Sequence, residues 1–274
     1  MKAPKFSVII PTLNEEKFLP ALLNSLTFQT DRRFEVIVVD GSSKDQTVKK
    51  ARTFKKKLPS LRIVISKKAS LPLQRNLGAK EARGEWLIFV DADSVFMPYF
   101  IERIDVFIKR KDPRVFTTWS QPDSDDPNDA IFSMIANLAI QATIMWDRPL
   151  APGPLTIVRQ DIFKAAGGYN EEHAFNEDLE LGIRLRERGA AVAMLPEALY
   201  VWSLRRMRSE GRMKVAGQYA LATVPAMLFK KPLKHMPGYV MGGHVYTKKN
   251  QPVAHETLRT YERRLKELFS ELFE

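Results

Sequence analysis

The first 95 residues predict an α/β fold with a mostly parallel central sheet flanked by helices. Three observations carry that prediction. Short apolar runs alternate four times with helix-like segments, the runs close on turn or polar residues, and acids collect where two of them end. Residues 6–10 read as a buried strand that Pro11 ends. Asn14 is placed to cap a helix opening with Glu15 and Glu16, and Phe18, Leu19, Leu22, Leu23 and Leu26 give it one apolar face. Residues 34–39 are the second strand, followed by Asp40 and Gly41, and a helix over 43–57 has Asp45 near its start. A third strand covers 61–65. Pro72 suits the first turn of a helix reaching Ala82, with Gly84 beyond its end. Residues 86–90 are the fourth strand and run into Asp91-Ala92-Asp93.

Beyond Asp93 the pattern loosens. A helix is predicted over 98–109 and a strand over 115–119, then a loop over 121–129 with four Asp and two Pro. Residues 130–146 carry no charge and read as a buried or groove-lining helix, being too short and polar to span a bilayer. A Gly/Pro turn precedes a strand over 155–158. Asn176 is placed to cap a helix that Gly189 ends, and 191–195 is a further strand. A second uncharged stretch, 215–229, reads equally as a buried helix or as one lying on anionic lipid. Residues 254–274 place Leu258, Tyr261, Leu265, Leu268 and Leu272 on one stripe of a charged helix.

The chain has 274 residues and no cysteine, which excludes a disulfide scaffold, a thiol nucleophile and a Cys-ligated metal. Four histidines argue against a His-rich metal site. The N-terminus does not read as a signal peptide, because Lys2 and Lys5 precede only a short apolar run. The formal net charge is +11, but it is unevenly spread. Residues 199–250 hold ten basic side chains and one acid, whereas 1–198 carry only +3. That near balance argues against a broad nucleic-acid footprint, so no nucleic-acid partner is expected.

Ligands of open α/β sheets bind beyond the carboxyl ends of the strands. Thr12, Asp40, Asp91 and Asp93 stand there. Two carboxylates one residue apart repel a phosphate unless a hard cation lies between them, and Mg²⁺ or Mn²⁺ takes such oxygen ligands while keeping positions open for a diphosphate. Asp91-Ala92-Asp93 is therefore a candidate metal–diphosphate site.

Six motifs in order carry a family resemblance. Residues 7–15 (Ser-Val-Ile-Ile-Pro-Thr-Leu-Asn-Glu) and 35–45 (Glu-Val-Ile-Val-Val-Asp-Gly-Ser-Ser-Lys-Asp) resemble the opening of family 2 glycosyltransferases. Gln74-Arg75-Asn76 with Gly78, the Asp91/Asp93 pair, Gly167-Gly168-Tyr169 and Asn176-Glu177-Asp178 with Arg184–Gly189 resemble the motifs that follow. The resemblance covers about residues 5–206. It implies a GT-A fold over 1–202, with a nucleotide-binding half (1–95) and an acceptor-side half (96–202); beyond it the charge count and the apolar periodicity place a basic helical extension (203–253) and the amphipathic helix (254–274). It also implies a metal-dependent, inverting transfer from a nucleotide-diphospho-sugar, a UDP- or GDP-sugar, to an acceptor hydroxyl on a glycan or lipid-linked molecule.

The same resemblance assigns roles. Pro11, Thr12, Asn14, Glu15, Asp40, Arg75, Asp91 and Ala92 fall on the nucleotide-sugar side. Asp93, with Asp91, would bind Mn²⁺ or Mg²⁺. Asp178, beside Glu177, would be the general base, although acids in a first helical turn also simply suit the helix dipole. Arg205 and Arg206 stand where many processive relatives carry an arginine motif that is absent here, and are expected to grip the diphosphate or to belong to a solvated basic helix. His173 reads as a surface histidine. The basic segment 203–249 would be a lid over the donor or a peripheral contact with an anionic membrane, at the inner face of a cytoplasmic location. Three other readings fit parts of the chain: a polyprenyl-phosphate sugar synthase of the same fold, a haloacid-dehalogenase-like phosphatase using Asp91 as nucleophile, and a basic membrane- or nucleic-acid-binding protein without catalysis.

Overall fold

The computed structural model describes residues 3–145, 153–173 and 175–211, together with 214, 215, 217 and 218. The stretch 219–253 and the amphipathic segment 254–274 lie outside the described residues, as does most of 215–229. The first half alternates as the sequence predicts: β1 (Phe6–Thr12), α1 (Leu19–Thr27), β2 (Phe34–Asp40), α2 (Thr47–Arg52), β3 (Leu61–Ile65), α3 (Leu71–Glu81) and β4 (Trp86–Val90). The second half adds β5 (Val95–Phe96), α4 (Phe100–Lys111), β6 (Val115–Pro122), α5 (Pro127–Met145), β7 (Leu155–Arg159), α6 (Gln160–Ala165), α7 (Glu177–Glu187), β8 (Val192–Trp202) and α8 (Arg205–Glu210). The described strands form one sheet in the order β3-β2-β1-β4-β7-β6-β8-β5.

The sheet is mixed. Strands β3, β2, β1 and β4 are parallel, whereas β7 inserts antiparallel between β4 and β6. Strands β1, β2 and β4 are buried along their whole length, which is why they read as unbroken apolar runs rather than alternating ones. One core cluster lies between the sheet and α1 and α4; a second gathers Ile9, Ile37, Phe89, Phe163 and Tyr169.

Several boundaries differ from expectation for identifiable reasons. Pro11 does not end β1, which pairs with β2 through Thr12; the β4 register stops at Ile9, so a missing N–H at Pro11 is tolerated. Helix α1 opens at Leu19 rather than at Glu15. Pro20 is accommodated only in a first turn, and Asn14 adopts a left-handed φ of 54° instead of capping. Helix α2 is six residues long, and β8 runs on to Trp202 because its ladder with β6 shifts register across Pro196 and Glu197.

Helix α3 lies directly on the sheet. A Cβ at Gly78 would stand 2.3 Å from Ile9 Cγ2 and 3.1 Å from Val39 Cγ2, so only glycine lets the helix approach. Gly78→Ala is expected to cost about 1–3 kcal/mol through overpacking. Urea unfolding checks this: the midpoint should fall with the slope unchanged, and an unchanged midpoint would contradict the packing argument.

Candidate active site

Thr12 and Asp40 close two parallel strands in register. Asp40 is fully buried, and its carboxylate accepts from the Thr12 hydroxyl at 3.1 Å, the Ser43 hydroxyl at 2.6 Å and the Ser43 N–H at 2.8 Å. The loop after β1 is stitched to the loop after β2. Asn14 N–H donates to Ser43 Oγ, Lys44 N–H to Asn14 Oδ1, and Glu15 N–H to Thr47 Oγ1, all at 2.8 Å. Pro11 and Ala92 are buried beside these groups in the chain.

Helix α3 carries three consecutive polar residues that tie the sheet to the second half. Gln74 Nε2 donates to the Thr12 and Val39 carbonyls at 2.9 and 2.7 Å. Asn76 exchanges hydrogen bonds with the Tyr169 backbone, accepting its N–H and donating to its carbonyl, both at 2.8 Å. Arg75 is the centre of the arrangement, with a side chain 1% exposed. It donates to Glu177 Oε1 at 2.8 Å, Asp91 Oδ1 at 3.1 Å and the Gly153 carbonyl at 2.9 Å, and its guanidinium lies 5.1 Å from the Tyr169 ring centroid. Burial works against its charge, but Tyr169, Glu177 and Asp91 outweigh that and hold it firmly protonated.

A second arginine serves the other acids. Arg205, at the start of α8, grips Glu15 with two hydrogen bonds of 3.0 and 2.8 Å, and its Nε lies 2.9 Å from Asp93 Oδ2. The guanidinium sits 4.4 Å from the Phe18 ring centroid. Arg206, by contrast, pairs with Glu210 and Gln218 at 3.0 Å. The two adjacent arginines thus face different groups. Arg208 grips Asp123, which also accepts from Ser203 Oγ and the Leu204 N–H. The described arginines of the basic block, Arg205, Arg206 and Arg208, therefore turn their charge toward carboxylates of the protein itself.

Glu177 and Asp178 occupy the first turn of α7, as the sequence predicts, with Asn176 at the cap position in a left-handed conformation rather than a regular capping one. Their environments differ. Glu177 is buried against Arg75, and burial together with the adjacent Asp178 pushes its carboxyl up to about 7. Asp178 is only half-buried, and burial raises it too, with Arg75 pulling the other way. A Cβ at Gly153 would lie 2.6 Å from Asp178 Oδ2, so this glycine leaves the space beside the carboxylate. Sequence gives Gly153 and Asp123 no mark as site residues and Asn76 only a place in a motif; Pro152 and Pro154 signal a turn, but nothing in the sequence signals what the turn faces. His173 is buried rather than on the surface.

Asp91 and Asp93 offer oxygen donors suited to a hard divalent cation. Burial pushes Asp93 up to about 6 despite Arg205, and burial raises Asp91 despite Arg75. Each carboxylate already has an arginine partner, and burial is what makes its charged form costly; a cation beside the pair would lower that cost. No cluster of three or more acidic, histidine or cysteine ligands gathers among the described residues, so a cation here needs further oxygens from its ligand. Asp91 keeps a third of its side chain open to solvent. The phosphatase reading places Asp91 on an opening strand; here it follows the fourth strand and accepts from Arg75.

Arg75→Met should cost about 3–5 kcal/mol, because it leaves the buried Glu177 and the partly buried Asp91 without their partner. The sign of its pH dependence follows from Glu177. Its folded pKa of about 7 exceeds its ordinary 4.5, so its contribution to stability is fully present below 4.5 and lost as pH rises through 7. Removing Arg75 exaggerates that trend. Thermal melts of the two proteins should therefore converge on acidification from pH 8 to 5; a constant gap would contradict the assignment.

Comparison with known proteins agrees with this geometry. The glycosyl transferase family 2 model matches residues 7–167. An uncharacterized glycosyltransferase of Haemophilus influenzae is 28% identical over 184 residues, covering 65% of this chain and 61% of its own. A Mycobacterium tuberculosis protein named as a PGL/p-HBAD biosynthesis glycosyltransferase is 39% identical over 116 residues, 41% of this chain and 45% of its own. The chain thus spans about half to three-fifths of the length of these relatives. Among solved structures, a fragment of Staphylococcus aureus TarS in complex with UDP-GlcNAc superposes with a TM-score of 0.61 at 26% identity, covering 73% of this chain and 58% of that one. The mannosyltransferase PcManGT of Pyrobaculum calidifontis, in complex with GDP-Man and Mn²⁺, shares the fold with a TM-score of 0.68 at 18% identity, covering 86% and 67%. With the family model matched over more than half of the chain, this chain belongs to glycosyl transferase family 2.

Proposed function

We propose that the chain is an inverting glycosyltransferase that moves a sugar from a nucleotide-diphospho-sugar to an acceptor hydroxyl. The observation that carries this reading is the imbalance at the strand ends. The carboxylates of Glu15, Asp91, Asp93, Glu177 and Asp178 surround the guanidiniums of Arg75 and Arg205, with Asp178 half-buried beside Gly153. A UDP- or GDP-sugar is the donor class, and the similarity to TarS, whose structure holds UDP-GlcNAc, supports a uridine nucleotide. Thr12, Asp40 and the stitched loops behind them form the floor for the nucleoside. Asp93 and Asp91 would hold Mn²⁺ or Mg²⁺, which when bound neutralises the charge gathering on the leaving diphosphate.

The remaining chemistry falls to the chain's own residues. The acceptor oxygen forms its bond to the anomeric carbon on the face opposite the diphosphate. The carbon–oxygen bond to phosphate breaks with its electron pair going to the nucleotide, and the configuration inverts. The acceptor proton passes to Asp178, whose raised pKa makes it a stronger base than an ordinary aspartate. Glu177 is committed to Arg75 and acts as a positioning residue for the α7 turn. Arg205, 2.9 Å from Asp93, would share the negative charge of an incoming diphosphate.

Asp178→Asn should retain nucleotide binding and lose turnover by at least ~100-fold, the range of general-base catalysis. In the parent protein, turnover should fall as pH drops through the raised Asp178 pKa, because only the carboxylate accepts the proton. Near-normal turnover in the variant would remove Asp178 from the role. A thermal-shift panel of UDP-, GDP- and dTDP-sugars, each with and without Mn²⁺, tests donor and metal together. The matching donor should stabilise the protein more with Mn²⁺, and Asp93→Asn should abolish that increment.

A further inference from the structure

The uncharged stretch of sequence forms α5, and its polarity is inverted. Asp129, Ser133 and Asn137 recur one turn apart on the face turned to the protein, and all three are buried. Ser133 Oγ donates to the Ser120 carbonyl at 3.2 Å and Asn137 Nδ2 to the same oxygen at 2.9 Å. Ser120 N–H donates to Asn137 Oδ1 at 3.1 Å, and Ser124 Oγ to Asp129 Oδ2 at 2.5 Å. The opposite face carries Ile131, Met134, Ile135 and Leu138, each 50–58% exposed. A surface helix ordinarily does the reverse. Among the described residues nothing seals this stripe, and a contiguous exposed apolar stripe is the mark of an interaction site.

The stripe borders a cavity of about 390 Å³ between α5 and the end of β6. Its walls include Trp119, Ser120, Gln121, Asp125, Met134 and Asn137. One aromatic ring among hydroxyl, amide and carboxylate groups suits a polyhydroxylated head group. The Trp119 indole N–H is buried with no acceptor among the described residues. Ser120 pairs in register with Tyr200 of β8, which pairs in turn with Phe96 of β5, three residues after Asp93, so the cavity wall lies two strands from the segment that follows the acids of the site. Met134 belongs both to the cavity wall and to the apolar stripe.

We infer that the acceptor is an amphiphile, with its polar head in the Trp119 cavity and its hydrocarbon chain along Ile131, Ile135 and Leu138 of α5. This rests on the glycosyltransferase reading and names its acceptor class. Two alternatives fit less well. Four half-exposed side chains offer much less than the roughly 800 Å² per partner of a stable dimer. Helix α5 has no lysine or arginine, and Asp125 and Asp126 precede it, so it is ill-suited to an anionic bilayer surface.

The test titrates the full chain with methyl, hexyl and octyl β-D-glucopyranoside below their micelle concentrations, following tryptophan fluorescence, and measures UDP binding separately. Each methylene taken out of water is worth about fourfold in affinity, so partial cover of the octyl chain predicts binding at least ~10-fold tighter than methyl. In Ile135→Asp/Leu138→Asp the three affinities should become equal, with UDP affinity, melting temperature and molecular mass unchanged. Equal affinities in the parent protein, or an undiminished series in the variant, would overturn the inference. So would a lower melting temperature in the variant, meaning that the chain's own 254–274 stripe covers α5, or a smaller mass, meaning that a second copy does. Binding to phosphatidylcholine vesicles that needs Ile135 without a chain-length series would also overturn it, in favour of a bilayer. Failure of the parent protein to bind any nucleotide would instead sink the glycosyltransferase reading and leave the glucoside series to stand alone.

Discussion

Arg75 is the interaction on which the site depends. A guanidinium taken almost wholly out of water must be surrounded by acceptors, and its acceptors come from distant parts of the chain: Asp91 after β4, the Gly153 carbonyl before β7, and Glu177 at the start of α7. The planar fork can satisfy all three only if those segments meet at one point. Its neighbours on α3 repeat the same work, with Gln74 reaching back to β1 and β2 and Asn76 forward to Tyr169. A network of this kind is weak evidence for stability, since apolar side chains of similar volume often serve as well. Its consequence is geometric: Asp91 after β4 and Glu177 at the start of α7 are fixed to one another through a single side chain.

Charge has to be read at two scales. The whole chain carries +11, yet the strand ends hold more carboxylates than guanidiniums. The basic surplus of 199–250 looked like a feature apart from that acidic centre. Its described beginning is joined to it, because Arg205 reaches Glu15 and Asp93 while Arg208 reaches Asp123. Leu204, Met207 and Val215 add a small apolar cluster with Phe132 and Trp202. An excess of charge along a sequence is therefore no measure of charge left for an outside partner; three arginines of the block already face acids within the fold.

The strands of the first half were legible because burial on both faces leaves an unmistakable apolar run, and the acids after β2 and β4 were legible because a strand end is a defined place. Helix starts were less so. Asn14 followed by two acids imitates a cap, but Pro20 was the better signal, since it admits only a first turn around Leu19. The antiparallel insertion of β7 was not legible at all, because an apolar run carries no direction. Nor were the partners of Arg75, Arg205 and Asp123, which are separated by 16 to 190 residues and meet only through the sheet order. The lack of charge in 130–146 points to a buried or groove-lining helix. Composition alone did not reveal that the buried residues were the polar ones.

Glu177 and Asp178 show how one turn of helix divides two similar groups. They share the same chain direction, the same dipole and nearly the same sequence context, and burial raises the pKa of both. What separates them is the hundred-degree rotation between successive helical positions. It points Glu177 at Arg75, where its oxygen is occupied and its side chain sealed, and leaves Asp178 half-buried beside a glycine that contributes no side chain. A carboxylate already spent on a guanidinium is a poor proton acceptor, so in the proposed transfer the half-buried Asp178, raised by burial, is the better placed of the two to take the acceptor proton. The difference between their environments therefore follows from where Arg75 stands.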